Sequence, residues 1–207
     1  MLDERRTVSL ALNDNYINRW CKEKEKEART EELGMLIAMA GLPGTGKSTL
    51  ARHLADAYAG IVLDKDPIRA ALFPIAQIEY STRQDDFCMS IMFQVATYML
   101  RNDPSQHVIL DGRTFSRTYQ VAALDQLAEE LKTSVKIIEC ICSDETAHRR
   151  LEDKIMMGTK HLAANRDYDL YLAIKARFEP IREPKLVVNT DNDLAQCLAS
   201  CLAYISM

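Results

Sequence analysis

The residues best suited to chemistry open with Gly41-Leu42-Pro43-Gly44-Thr45-Gly46-Lys47-Ser48, which fits G-x-x-x-x-G-K-[ST] at every fixed position. Glycines at these points let backbone N–H groups converge on phosphate oxygens without a Cβ in the way. A helix starting at Lys47 adds the positive end of its dipole to the same place. In such a loop the lysine ammonium reaches the outer phosphates of a nucleoside triphosphate, and the Ser48 hydroxyl ligates Mg²⁺. Gly41 through Thr49, with Leu42, Pro43, Gly44, Thr45 and Gly46 among them, are therefore the expected nucleotide contacts. ATP and Mg²⁺ are the expected cofactors. The octapeptide also lies between the apolar run Met35–Ala40 and a helical stretch, the setting this chemistry requires.

Carboxylates and arginines recur where other apolar runs end. Asp66 and Arg69 follow Ile61-Val62-Leu63 in Asp64-Lys65-Asp66-Pro67-Ile68-Arg69. A carboxylate there is placed to accept the proton of an attacking hydroxyl. Asp66 and Pro67 also suit the N-cap and first position of a helix. Spacing alone leaves Asp64 and Asp66 as alternatives for the catalytic role. Asp111 closes Val108-Ile109-Leu110, where an acidic residue would hold the metal's water shell. Arg113 follows it and is the better candidate for gripping substrate or phosphate, whereas Arg117 suits the start of the next helix. Further on, Arg149, Arg150 and Arg166 are expected to close over the nucleotide and the transferring group, with Gly158-Thr159-Lys160 as a tip. Arg149 and Arg150 are again alternatives. His148 and His161 read as surface residues, and Tyr168, Tyr171 and Phe178 as core.

These side chains need a scaffold that brings strand ends together. Short apolar runs predict strands at Met35–Ala40, Gly60–Asp64, His107–Asp111, Val135–Cys142 and Lys185–Asn189. Between them the patterning predicts helices at Lys47–Ala59, Arg83–Leu100, Arg117–Lys132, Asp144–Met156, Asp167–Phe178 and Leu194–Ile205. Strands alternating with helices imply an α/β architecture, a parallel sheet covered on both faces with its site at the carboxyl ends of the strands. Phe73–Met89, between the second and third strands, is expected to supply an acceptor pocket with Ile75, Ile78, Tyr80 and Phe87 as a partly apolar wall. Residues 1–34 differ in character. The alternating charges Lys22-Glu23-Lys24-Glu25-Lys26-Glu27 follow Tyr16, Ile17 and Trp20, as in an amphipathic helical extension. That extension is expected to pack on the domain at 35–207, to cap the site or to mediate homo-oligomers.

Composition narrows the classes. The chain has 207 residues, a net charge of −4 and 47% hydrophobic residues, enough for one domain with a real core. An acidic balance argues against avid binding to nucleic-acid backbones. No run approaches the ~20 apolar residues of a membrane-spanning helix. The charged N-terminus does not read as a secretory signal. Six cysteines without zinc spacing read as reduced, buried thiols, and the expected compartment is the cytoplasm. A GTPase would carry Asn-Lys-x-Asp, which Asn189-Thr190-Asp191-Asn192 does not supply.

On Gly41–Thr49, Asp66-Pro67-Ile68-Arg69, Val108–Asp111 and Arg149/Arg150, the chain resembles the P-loop kinases with Asp-x-x-Arg after strand two. That group includes gluconate kinases, polynucleotide 5′-kinases, zeta toxins and chloramphenicol phosphotransferases. The resemblance covers about residues 35–207. It implies a P-loop NTPase three-layer fold with strand order 2-3-1-4-5, Asp66 as base, Arg69 as a substrate contact, and lid arginines. The expected activity is transfer of the γ-phosphoryl group of ATP to a hydroxyl of a small molecule. A polynucleotide 5′-hydroxyl kinase and a nucleotide-dependent, toxin-like regulator are the alternatives.

Overall fold

Five short apolar segments become the strands of one parallel sheet: β1 (Met35–Ala40), β2 (Ile61–Asp64), β3 (Val108–Asp111), β4 (Ser134–Ile141) and β5 (Leu186–Asn189). The computed structural model describes residues 33–79, 81–156 and 168–207. The expected helical extension at 1–34 therefore lies outside the described residues except for Leu33 and Gly34. Tyr80, His161 and Arg166 also lie outside. Strand order is β2-β3-β1-β4-β5, as the resemblance implies. The register sets Ile37 against Ile109, Ala38 against both Leu110 and Ile137, and Asp64 against Asp111 at the carboxyl edge.

Burial on both faces explains why the strand sequences read as unbroken apolar runs. Successive side chains of β1 alternate between two cores. Leu36, Ala38 and Ala40 join Leu110 and Ile137 against α3 (Thr82–Asn102) and α4 (Thr118–Leu131), through Met92, Ala96, Leu124 and Ala128. Ile37 and Met39 join Ile109, Ile138 and Val188 against α1 (Lys47–Tyr58) and α7 (Leu194–Ile205), through Leu50, Leu54, Cys197 and Cys201. The remaining helices α2 (Lys65–Leu72), α5 (Asp144–Met156) and α6 (Tyr168–Lys175) stand at the carboxyl edge of the sheet. The result is the P-loop NTPase-like α/β fold, three layers deep. Among the described residues no helix is long and apolar enough to cross a membrane.

The thiols and aromatics behave as expected. Cys88, Cys140, Cys197 and Cys201 are buried free thiols. Burial pushes Cys140 up to about 12 and Cys201 up to about 11, so neither supplies a thiolate near neutral pH. Tyr171 is buried, with Tyr168 stacked on it at 5.3 Å between ring centroids.

Two local expectations need correction. The N-cap of α2 is Asp64, not Asp66: its Oδ1 accepts from the Asp66 N–H at 3.0 Å. Pro67 consequently stands third in the helix, still within the first turn, where its missing N–H costs nothing. Among the described residues, Ile75, Ile78 and Phe87 of the predicted apolar wall do not line the cavity beside the Gly41–Ser48 loop. Ile75 is 77% exposed, and Phe87 turns outward, edge-on to Phe73 at 5.8 Å. Helical phase is the reason. The Ser81 hydroxyl starts α3 by accepting from the Gln84 N–H, and from there Thr82 and Asp85 share the face toward the strand ends while Phe87 falls on another.

Candidate active site

Gly41, Gly44 and Gly46 adopt φ of +124°, +79° and +84°, conformations that L side chains rarely take. Space is as restrictive as torsion. A Cβ on Gly41 would stand 2.2 Å from the Cys140 carbonyl oxygen, and one on Gly44 would stand 3.0 Å from that of Ala147. The loop thus turns tightly between β4 and α5 before feeding α1. Lys47 is buried, and its ammonium donates to the Gly41 and Leu42 carbonyls, both at 2.7 Å, so it lies across the mouth of the loop. The Gly41 N–H donates to the Thr114 carbonyl at 3.1 Å, tying the loop to the segment after β3. Phe115, buried in the core with a φ of +53°, anchors that segment.

At the end of β3, Asp111 is 1% exposed, and its Oδ1 has no hydrogen-bond partner among the described residues. A buried anionic oxygen left in that state is costly. Mg²⁺ with its water shell prefers such hard oxygen donors, so Asp111 with the Ser48 hydroxyl fits a metal held beside the phosphates. The glycine cradle fits a phosphate chain for the reasons already given.

A cavity beside the loop collects charge from five segments. Pro43 and Lys47 line it from the loop, Lys65 and Asp66 from α2, Asp85 from α3, Arg113 from the segment after β3, and Arg177 from just past α6. Asp85 Oδ1 accepts from Lys65 Nζ at 2.7 Å and is also bound by the Arg69 guanidinium. Arg69 lies 3.5 Å from Asp66 Oδ1. Burial pulls the Lys65 ammonium below the usual lysine range, while Asp85 and Asp66 pull the other way. Arg113, 4% exposed, is paired to Asp86, whose carboxylate also accepts from the Tyr119 hydroxyl at 3.0 Å.

On the other side of the loop a cleft of about 390 Å³ opens between Gly44, Gly46, Arg150, Thr190 and Asn192. Arg150 Nη1 donates to Thr190 Oγ1 at 2.9 Å, and Nη2 to the Thr190 carbonyl at 2.8 Å. The Thr190 hydroxyl donates to the Thr45 carbonyl at 3.0 Å, so the end of β5, the loop and α5 are stitched together.

The family model described as "AAA domain" matches residues 36–181, most of the chain. The chain belongs to this AAA-domain family of P-loop proteins. No curated protein matches it. Solved structures share the fold at low identity. A gluconokinase from Sinorhizobium meliloti is 14% identical with a TM-score of 0.63, covering 84% of this chain and 93% of its own. The Mycobacterium tuberculosis APS kinase in complex with AMPPNP and APS is 17% identical with a TM-score of 0.63, covering 85% and 99%. A sugar kinase from a Janibacter species is 17% identical with a TM-score of 0.61, covering 84% and 95%.

Within this AAA domain, the geometry brings Lys47, Asp66 and Arg113 to one cavity, with Asp111 and Ser48 at the same edge of the sheet. It does not bring Arg69 there as a contact for an acceptor: the side chain is 2% exposed and sits behind Asp66 and Asp85. Arg150, expected over the nucleotide and the transferring group, lines the cleft across the loop. Arg149 is exposed and does not line that cleft. Arg117 pairs with Glu179 at 2.9 Å at the start of α4 and does not itself line the cavity. Sequence reasoning missed Lys65, Asp85, Thr82 and Gln120. Lys65 carried a signal, since it stands between two strand-end carboxylates. Asp85 carried none beyond lying in the segment expected to shape the pocket.

Proposed function

We propose that the protein is an Mg²⁺- and ATP-dependent phosphotransferase that moves the γ-phosphoryl group onto a hydroxyl of a small molecule. The observation that carries this reading is the single cavity lined by Lys47 of the phosphate loop and by Asp66 and Arg113. A protein that only held or hydrolysed nucleotide would not need a buried, multi-element charge network beside the loop.

In this reading the loop N–H groups and Lys47 hold the β- and γ-phosphates. Mg²⁺, ligated by Ser48 and by water held on Asp111, would supply charge neutralisation on the phosphate oxygens. Asp66 is favoured over Asp64 as the base, because the Asp64 carboxylate is engaged in capping α2. Asp66 takes the acceptor's hydroxyl proton as the new O–P bond forms, the bond to the β,γ-bridging oxygen breaks, and ADP departs. Arg69 is a positioning residue that keeps the Asp66 carboxylate aimed, and Arg113 grips the acceptor. Arg150 serves the nucleotide from across the loop. Most of the catalytic effect comes from position and preorganised charge, as phosphoryl transfer demands of a protein.

The test is ADP release from Mg-ATP against sugars, nucleosides, aminoglycoside-type and phenolic alcohols, and a 5′-hydroxyl oligonucleotide, with product masses. A small molecule gaining one phosphate is the expected result. Preferred transfer to the oligonucleotide would move the reading to a polynucleotide kinase. ATP bound but transferred to nothing would overturn the proposal in favour of a nucleotide-dependent regulator.

A further inference from the structure

We propose that the phosphate acceptor is an anion that also bears a free hydroxyl, with Arg113 and Arg177 taking its charged oxygens and Gln120 accepting from its O–H. The proposal rests on the phosphotransferase reading and deepens it by naming the acceptor's chemistry. Two independent observations lead to it.

The first is charge. Four cations line the cavity, Lys47, Lys65, Arg113 and Arg177, against two carboxylates, Asp66 and Asp85. Lys65 is engaged with Asp85, and Lys47 belongs to the nucleotide phosphates. Arg69 and Asp86, the charged neighbours just behind this lining, offset each other. Arg177 is exposed and forms no ion pair among the described residues, so its charge is available to a ligand. An anionic acceptor would meet this surplus, which a neutral one would leave to solvent.

The second is an unmatched pair of hydrogen-bonding atoms. Arg113 and Gln120 are each more than nine-tenths buried, and both line the cavity. Arg113 Nε, a donor, and Gln120 Oε1, an acceptor, have no partner among the described residues. Buried polar atoms are nearly always paired, so two orphans on neighbouring walls point to a ligand that supplies both partners. The two side chains are also held in place. Asp86 binds Arg113 and accepts from Tyr119, and Tyr119 in turn accepts from Gln120 Nε2 at 3.3 Å. One carboxylate thus braces the donor and, through Tyr119, the acceptor, which is the preorganisation a specificity site requires.

The same anionic oxygens could come from a carboxylate or a phosphate ester. One series separates them: polyols of three to six carbons offered as the neutral alditol, the aldonate and the terminal phosphate ester. Melting temperature with each compound and kcat/KM with Mg-ATP are both measured. At least one charged member is expected to raise the melting temperature and to be turned over ~10-fold or more better than its alditol. The arm that succeeds names the anion. Arg177→Gln, at an exposed position, should erase that preference. Gln120→Glu keeps the shape of the side chain and should lower kcat/KM for the charged acceptor ~10-fold or more with the KM for ATP unchanged. Alditols turned over as well as their charged partners, or a preference that survives Arg177→Gln, would overturn the inference while leaving the phosphotransferase standing. If nothing in the series is turned over, the melting shift decides. Charged compounds that leave the wild-type melting temperature unmoved overturn the inference. A shift lost in Arg177→Gln sustains anion binding even if the wider panel shows no phosphoryl transfer.

Discussion

The two sides of the phosphate loop are built from different materials. On the side of β2 and β3, side-chain charges are locked to one another across elements: Lys65 and Arg69 on Asp85, Arg69 near Asp66, Arg113 on Asp86. On the side of β5, Arg150 is held by the Thr190 hydroxyl and by backbone carbonyls, and the cleft there is the larger and less charged of the two. Charge pairs that span three elements fix the position of reacting groups, because moving one charge strands another in a buried setting. Contacts to backbone carbonyls hold a surface open for a ligand without reading its substituents closely. In the proposed reaction, the first side therefore governs chemistry and acceptor choice, and the second governs nucleotide affinity.

Changes at the boundary between the two sides should break both at once. Lys47→Ala removes the cation that lies over the loop and serves the outer phosphates. Its kcat/KM is expected to fall ~10³-fold, with weaker nucleotide binding in a fluorescent-analogue titration. A variant with unchanged affinity and turnover would remove the loop from the mechanism. Asp66→Asn should separate the sides instead. Turnover should drop ~10²-fold while ATP affinity stays near wild type, because a general base acts only as the proton moves. Wild-type turnover in this variant would return the role to Asp64 or deny it to both.

Arg150→Ala is the converse experiment and a smaller one. Losing its reach across the cleft should raise the KM for ATP ~10-fold with kcat nearly unchanged, since a nucleotide contact made equally in ground and transition states lowers KM alone. Steady-state kinetics over a range of ATP concentrations at saturating acceptor check this. A fall in kcat with KM unmoved would place Arg150 with the transferring group after all and erase the distinction between the two sides.

How much of this was legible in the sequence follows from how local each feature is. The loop was legible because its glycines, Lys47 and Ser48 are contiguous and their torsions are a local matter. The sheet was legible because strands covered on both faces must be apolar throughout, as Met35–Ala40 and Val108–Leu110 are. Strand order came only through resemblance to a family, not from any run of residues. The charge network was not legible. Asp85 meets Lys65 from 20 residues away, and only the phase of α3, set at Ser81, decides that Asp85 and not Phe87 faces the site. Apolar residues in that stretch looked like a pocket wall because sequence shows which side chains are sticky, not which way a helix is turned. The cap of α2 was misplaced by two residues for a similar reason: Asp64 and Asp66 are both good caps, and the end of β2 chooses between them.

Glu179 offers a control that lies outside both sides and should leave their kinetics intact. Sequence gave no hint of its role, because it caps α4 from 61 residues away. Its Oε2 accepts from the Thr118 N–H at 2.7 Å and the Thr118 hydroxyl at 2.9 Å, and its Oε1 accepts from Arg117. The Thr118 N–H foremost, then Arg117 and the Thr118 hydroxyl, hold this carboxyl down to about 2 from its usual 4.5. A carboxylate that ionises more readily folded than unfolded adds stability that is complete above pH 4.5 and is lost as pH falls through about 2. Glu179→Gln should therefore lower the melting temperature modestly at neutral pH. The gap between variant and wild type should close as the pH is taken from 4.5 toward 2, where the wild-type carboxylate gains its proton. Denaturant melts across that range check the convergence. A gap that stays constant with pH would mean that the amide disturbs packing and not charge. A change in ATP turnover would mean that the start of α4, and with it the segment carrying Arg113, is coupled to the chemistry more tightly than the division between the two sides allows.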